Sequence, residues 1–299
     1  MACKIPRMTR TATIPVPAPA YFGVSAVFHY LGPALAVLLF AHMDVIGVAW
    51  LRIAGAAVVF AVWRRPWRLR GQLTRGQSWD LVLLGLVLAT MNTVFYLAVA
   101  RLPLSTVAAI EFLGVIGLAA VGARTRRNML ALCLAVGGVL VLTDIRLAGE
   151  PLGFVFAFTN SALFVLYVVL GHRAANAGTR RQPGGIDRLG AAMLIAALVA
   201  TPAGIGQAWP AFTHPVWLLA GVGVGVCSSV IPYVADQLAM ARLRRATFAL
   251  MLTILPATAT AVGLVVLAQR PTVSDLVGIA LVAAGTAAHQ QRTPPAKTH

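Results

Sequence analysis

Apolar residues in this chain come in long runs, each near bilayer length and each closed by a short polar or basic break. Runs of roughly 20 apolar residues predict membrane-spanning helices. Here they cover residues 21–42, 45–63, 80–100, 104–123 and 129–145, then 152–172, 187–208, 215–240, 246–268 and 273–290. The first run is span-length and leads straight into the second, so it reads as a retained helix and not as the short apolar core of a cleaved signal peptide. Before it stand Lys4, Arg7 and Arg10, then Pro15, Pro17 and Pro19, which read as a disordered tail. The pattern predicts an all-α membrane protein with ten transmembrane helices.

Basic residues supply the direction. With the N-terminus in the cytoplasm, only Arg101, Arg146 and Arg270 fall on the far side, Arg52 lies inside helix 2, and the rest of the 24 Lys and Arg gather in cytoplasmic segments. Positive charge is retained on the cytoplasmic side of membrane proteins. Adding or removing one helix would move the later clusters to the wrong side, so the asymmetry supports both the helix number and two cytoplasmic termini.

An internal repeat agrees with this plan. Leu97-Ala98-Val99-Ala100-Arg101-Leu102 recurs as Leu238-Ala239-Met240-Ala241-Arg242-Leu243, an offset of 141 residues. At the same offset Thr106 meets Thr247, Ala108 meets Ala249 and Gly122 meets Gly263. Helices 3 and 4 are therefore expected to be counterparts of helices 8 and 9. An odd number of spans per half turns the second half over, and Pro103-Leu104 in the outer loop accordingly becomes Arg244-Arg245 in the matching inner loop. The expected organisation is a cytoplasmic tail over 1–20, a first five-helix repeat over 21–146, an inverted repeat over 150–290 and a tail over 291–299. Inverted repeats characterise transporters that alternate access around a central site.

Composition narrows the function. Hydrophobic residues make up 59% and charged residues 11% of the 299 positions, against about a quarter charged in soluble domains. The net charge of +16 sits in clusters between apolar runs and not on a basic face or tail, which argues against nucleic-acid binding. Cys3, Cys133 and Cys227 are an odd number without ligand spacing, so neither a disulfide framework nor a metal site is expected. No cofactor is implied. The loops hold no nucleophile–base set, which argues against an enzyme.

Three ionisable residues interrupt the runs: Arg52 in helix 2, Glu111 in helix 4 and Asp236 toward the cytoplasmic end of helix 8. A charge at mid-helix costs about 2.5–3.5 kcal/mol on insertion scales, so each is expected to face the bundle interior with a partner. Arg52 and Glu111 lie near the midplane, either as a structural ion pair or with Glu111 exchanging a proton or holding a substrate ammonium; at the repeat offset Glu111 falls on Leu252. Helix 3 carries Gly85, Ala89, Asn92 and Tyr96 on one stripe, and helix 8 carries Gly221, Gly225, Ser229, Pro232 and Asp236. The glycines fit helix packing, whereas Asn92 and Tyr96, which fall on Tyr233 and Gln237 at the repeat offset, are harder to explain that way. Helix 6 adds Gly153, Ala157, Asn160, Phe164 and Tyr167 on one face. Pro256 and the Gly32-Pro33 pair are expected to kink helices 9 and 1. His29 and His42 have no partner at metal-ligand spacing, and His29 reads as an ordinary bundle histidine.

The leading reading is a secondary exporter with Arg52, Asn92, Tyr96, Glu111, Asn160, Phe164, Tyr167 and Tyr233 around the substrate, and Glu111 and Asp236 in proton coupling. A multidrug or other metabolite exporter, and a non-transporting sensor, are the alternatives.

The chain resembles the EamA type of the drug/metabolite transporter superfamily, in particular its bacterial inner-membrane exporters of threonine and homoserine. The likeness lies in Leu51-Arg52 with Pro66-Trp67-Arg68-Leu69-Arg70, Met91-Asn92 with Phe95-Tyr96-Leu97, and Glu111-Phe112. It continues in Tyr167 with Gly171 and Arg173-Ala174, Pro232-Tyr233, and Arg242-Leu243 with Thr247-Phe248. The resemblance implies export of small amino acids or related metabolites across the inner membrane, driven by proton exchange, through a cavity between the halves. The chain departs from that family where Val115 follows Gly114, Leu255 precedes Pro256, Gln269 follows helix 9 and Phe164 replaces a common tryptophan.

Overall fold

A computed structural model describes residues 18–69, 71–122, 126–144, 150–176, 184–243, 248 and 255–288. The tail before helix 1, the first turns of the run at 246–268, with Thr247 and Leu252, and the residues after 288 lie outside the described residues. Among the described residues every regular element is helical. The longer ones are α1 (Ala18–Leu39), α2 (Val45–Arg64), α3 (Arg75–Val99), α4 (Leu104–Gly122) and α5 (Arg126–Asp144), then α6 (Pro151–Asn176), α7 (Gly185–Gly204), α8 (Pro215–Met240), α9 (Leu255–Leu267) and α10 (Val273–Ala288), with short helical turns at Pro66–Leu69 and Trp209–Thr213 between them.

Local chemistry sets several ends. Asp44 opens α2 by accepting the Ile46 N–H at 2.8 Å, an N-cap that satisfies a donor the helix cannot. Thr74 and Gln77 form a reciprocal capping box, so α3 starts a polar turn earlier than the hydrophobic run at 80–100 indicates. By length and composition α2, α3, α6, α7 and α8 can each cross a membrane, and α1, α4, α5, α9 and α10 carry shorter apolar stretches. Outward-facing side chains such as Val58, Val62, Leu198, Leu219 and Val265 are apolar and exposed, as lipid contact requires.

The helices pack in a paired pattern. α1 lies against α8 and α9, while α6 lies against α3 and α4; α2 packs on α7 and α8, while α7 packs on α2 and α3; α5 packs on α10. α1 runs through the Gly32-Pro33 pair as one helix. Gly32 serves close approach. A Cβ there would lie 2.6 Å from Ser228 N, and one on Gly225 would lie 2.7 Å from Arg52 O. Both glycines let a neighbouring backbone onto α8, the packing role expected of small residues at this spacing. Gly32→Ala is expected to destabilise the fold by about 1–3 kcal/mol through overpacking, read as a lower unfolding temperature in detergent; an unchanged value would show that α1 can move off α8 freely.

Candidate functional site

The polar centre is built around an irregularity in α8. Residues Val226–Val230 form a π-helical turn, a feature frequent at functional sites, and Pro232 follows it. Proline has no N–H for the carbonyl four residues earlier, and that carbonyl belongs to Ser228. Arg52 of α2 takes it, donating from Nη2 to Ser228 O at 2.8 Å, from Nε to Ser229 Oγ at 2.9 Å and from Nη2 to Tyr233 Oη at 3.5 Å. Its guanidinium also lies 5.1 Å from the centre of the Tyr96 ring, in cation–π range.

Glu111 sits on α4 and is 3% exposed. Its Oε2 accepts from the Tyr30 hydroxyl at 3.1 Å and its Oε1 from Asn160 Nδ2 at 3.0 Å, with His29 Nε2 3.9 Å from Oε2. Arg52 and Glu111 form no ion pair among the described residues. The second acid, Asp236, accepts from Ser25 Oγ at one oxygen and from the Tyr167 hydroxyl, at 3.2 Å, at the other. The same two helices therefore hold both carboxylates: α1 through Ser25 and Tyr30, α6 through Tyr167 and Asn160. Five residues separate the two α1 donors and seven the two α6 donors, so the acids differ in depth by about 8–10 Å at 1.5 Å per residue.

Arg52, Asn92, Glu111, Asn160 and Tyr233 line one pocket, together with His29, Met91 and Phe95. Asn92 accepts the Tyr233 hydroxyl at 3.1 Å. Asn160 Oδ1 is buried without a partner among the described residues. Tyr96, Phe164 and Tyr167 form the layer behind: Tyr96 lies against Arg52, Phe164 packs edge-on to His29 with ring centres 5.8 Å apart, and Tyr167 lies 5.3 Å from the Tyr233 ring. The pocket measures about 10 Å³, close to the minimum that holds one water.

Ser25, Tyr30 and Ser228 carry little signal in the sequence, and His29, read there as an ordinary bundle histidine, lines the pocket with Nε2 3.9 Å from Glu111 Oε2. Small polar residues are common in membrane helices, and these four matter only because of what crosses them. The one available signal is the i, i+4 pair Ser25 and His29 on α1.

No protein-family model matches the chain. It is 30% identical over 261 residues to the threonine/homoserine exporter RhtA of Salmonella typhimurium strain LT2, the alignment covering 85% of each chain. The threonine/homoserine exporter RhtA of Escherichia coli strain K12 is similar to the same extent, 30% over 261 residues. Among solved structures, one crystal structure covers 91% of this chain and 95% of its own with a TM-score of 0.57 at 16% identity, a likeness of fold.

Proposed function

Because the chain belongs to the threonine/homoserine exporter family, of the EamA type within the drug/metabolite transporter superfamily, we propose that it exports small amino acids or related metabolites by proton antiport with alternating access. It is a multi-pass transporter of the bacterial inner membrane and not an enzyme.

The observation that carries the substrate class is one pocket lined by both Arg52 and Glu111, with Asn160 beside Glu111 and its Oδ1 unpaired among the described residues. A guanidinium edge suits a carboxylate. A carboxylate with an amide oxygen suits an ammonium. The substrate is then a zwitterion lying between Arg52 and Glu111, with Asn92 and Tyr233 beside it and Tyr96, Phe164 and Tyr167 supporting them. Glu111 meets either the ammonium or a proton, since each occupies the same oxygens, and this competition couples outward substrate to inward protons. Asp236, deeper toward the cytoplasm, passes protons between that side and the centre. A pocket of about 10 Å³ is far smaller than an amino acid, so α1 and α6 must part to load it.

Ten spans in two inverted halves, 21–146 and 150–290, with cytoplasmic tails at 1–20 and 291–299, complete the reading. Exchanging α1–α5 with α6–α10 maps each of the principal packing pairs named above onto another of them, which supports it. So does the hydrogen bond from Tyr233 to Asn92, residues 141 positions apart: a residue that touches its own repeat counterpart lies on the axis relating the halves, as at an isologous interface.

Counterflow of labelled threonine, homoserine and a panel of other amino acids into preloaded proteoliposomes tests the proposal. Threonine and homoserine are expected to exchange, and an inwardly directed proton gradient to accelerate export. Net export that ignores the gradient refutes antiport, and absence of exchange for every amino acid refutes the substrate class.

A further inference from the structure

A second pocket lies at the end of the bundle assigned above to the outer face, and it is larger than the central one. It measures about 200 Å³ and is lined by Ser105 in the first turn of α4, by Thr260 and Gly263 of α9, by Gln269 and Arg270 in the following linker, and by Asp275 in the first turn of α10. That volume is below the roughly 300–1,000 Å³ of sites for drug-sized ligands and suits a free amino acid.

Its walls are held in place and carry both signs of charge. Gln269 donates its N–H to Gly263 O at 3.0 Å and accepts the Leu104 N–H through Oε1 at 3.4 Å, tying the linker to the start of α4. Asp275 is fixed by the Thr272 N–H and hydroxyl, each donating to Oδ2 at 2.9 Å. Arg270 is exposed and forms no ion pair or hydrogen bond among the described residues. Ser105 is only 8% exposed, yet its hydroxyl has no partner among the described residues although it lines the pocket. The hydroxyl is therefore available, as donor or acceptor, to a group that enters the pocket. It stands at a helix N-terminus, where the backbone favours an anion.

We propose that this outer pocket binds the zwitterion of a small amino acid, with Arg270 and the Ser105 hydroxyl taking the carboxylate and Asp275 taking the ammonium. The site rests on the orientation and substrate class proposed above. It has room for an amino acid where the central pocket, at about 10 Å³, has none, so it receives released amino acid from the outer side and fills when product accumulates there.

Pro103 also lines the pocket and is outside the proposed contact set, so Pro103→Cys, in a full-length chain with Cys3, Cys133 and Cys227 replaced by serine, supplies a reporter. In intact cells, a membrane-impermeant maleimide is expected to label Pro103→Cys. L-Threonine at about ten times its dissociation constant is expected to slow labelling about tenfold by mass action. Threoninol, lacking the carboxylate, and 3-hydroxybutyrate, lacking the ammonium, are expected to protect far less. Adding Arg270→Gln is expected to abolish protection by threonine, Arg270→Lys to restore part of it, and Glu111→Gln to leave it intact. Absence of labelling from outside, absence of protection, protection that survives Arg270→Gln, or protection that disappears with Glu111→Gln would each overturn the proposal. The readout is binding, not flux: protection without threonine counterflow refutes only the transport reading, and counterflow without protection refutes only this site.

Discussion

Arg52→Met is expected to lose both stability and transport. The methionine fills most of the arginine's volume, but Ser228 O then has no donor, because Pro232 cannot supply one, and Ser229 Oγ loses its partner. An unsatisfied buried group costs about 1–3 kcal/mol, so the fold is expected to lose about 2–4 kcal/mol, read as a lower unfolding temperature in detergent. Adding Pro232→Ala returns an N–H four residues beyond Ser228 and is expected to recover part of that stability, a non-additive rescue that identifies the coupling. It restores no guanidinium, so counterflow is expected to stay absent in the double variant. Arg52→Lys retains the charge but reaches fewer partners than a planar fork, and is expected to bind substrate more weakly while folding well. Wild-type KM in Arg52→Met would remove Arg52 from the substrate site.

The helices were readable in advance because a bilayer imposes a length that hydropathy detects. The run predicted over 45–63 is Val45–Arg64, and the run over 215–240 is Pro215–Met240. Ends set by polar chemistry were less visible: α3 begins at Arg75, not 80, because the Thr74–Gln77 box folds a turn that contains no apolar signal. The carboxylates of the site were legible for a related reason, since a charge inside an apolar run stands out. Their partners were not. Ser25 reaches Asp236 across 211 residues of chain, and nothing local to Ser25 announces which helix will cross it. Ser228 was hidden because a stripe drawn at 3.6 residues through Gly225, Ser229 and Pro232 follows side chains, whereas Ser228 meets Arg52 through its backbone carbonyl beside the π-turn.

The shared grip of α1 and α6 on the two acids gives the proposed antiport a mechanical basis. An ionised carboxylate accepts only, and a protonated one also donates. Each change at Glu111 or Asp236 therefore alters what Ser25, Tyr30, Asn160 and Tyr167 can do, and α1 and α6 experience the state of both sites. Coupling of this kind needs an element with two arrangements that both ligands bias. α1, pressed against α8 at Gly32 and holding one donor for each acid, is the element so placed.

The two acids are accordingly expected to fail in different ways. Glu111→Gln keeps the shape, and the Asn160 amide can turn to face the new one, so folding is expected to change little. The substrate ammonium loses its charged partner, however, and a hydrogen bond to a charged group contributes about 1.5–3 kcal/mol. That corresponds to a roughly 10–150-fold loss of threonine counterflow, and proton-driven export is expected to vanish. Asp236→Asn leaves the central pocket untouched, because Asp236 lies behind it between Ser25 and Tyr167. Counterflow, which needs no net proton movement, is expected to persist there at close to the wild-type rate, while acceleration by a proton gradient is lost. Measuring both fluxes on both variants separates binding from coupling. Full gradient-driven export by Glu111→Gln, expressed at normal levels, would exclude its proton role, and gradient acceleration in Asp236→Asn would remove that residue from the proton path.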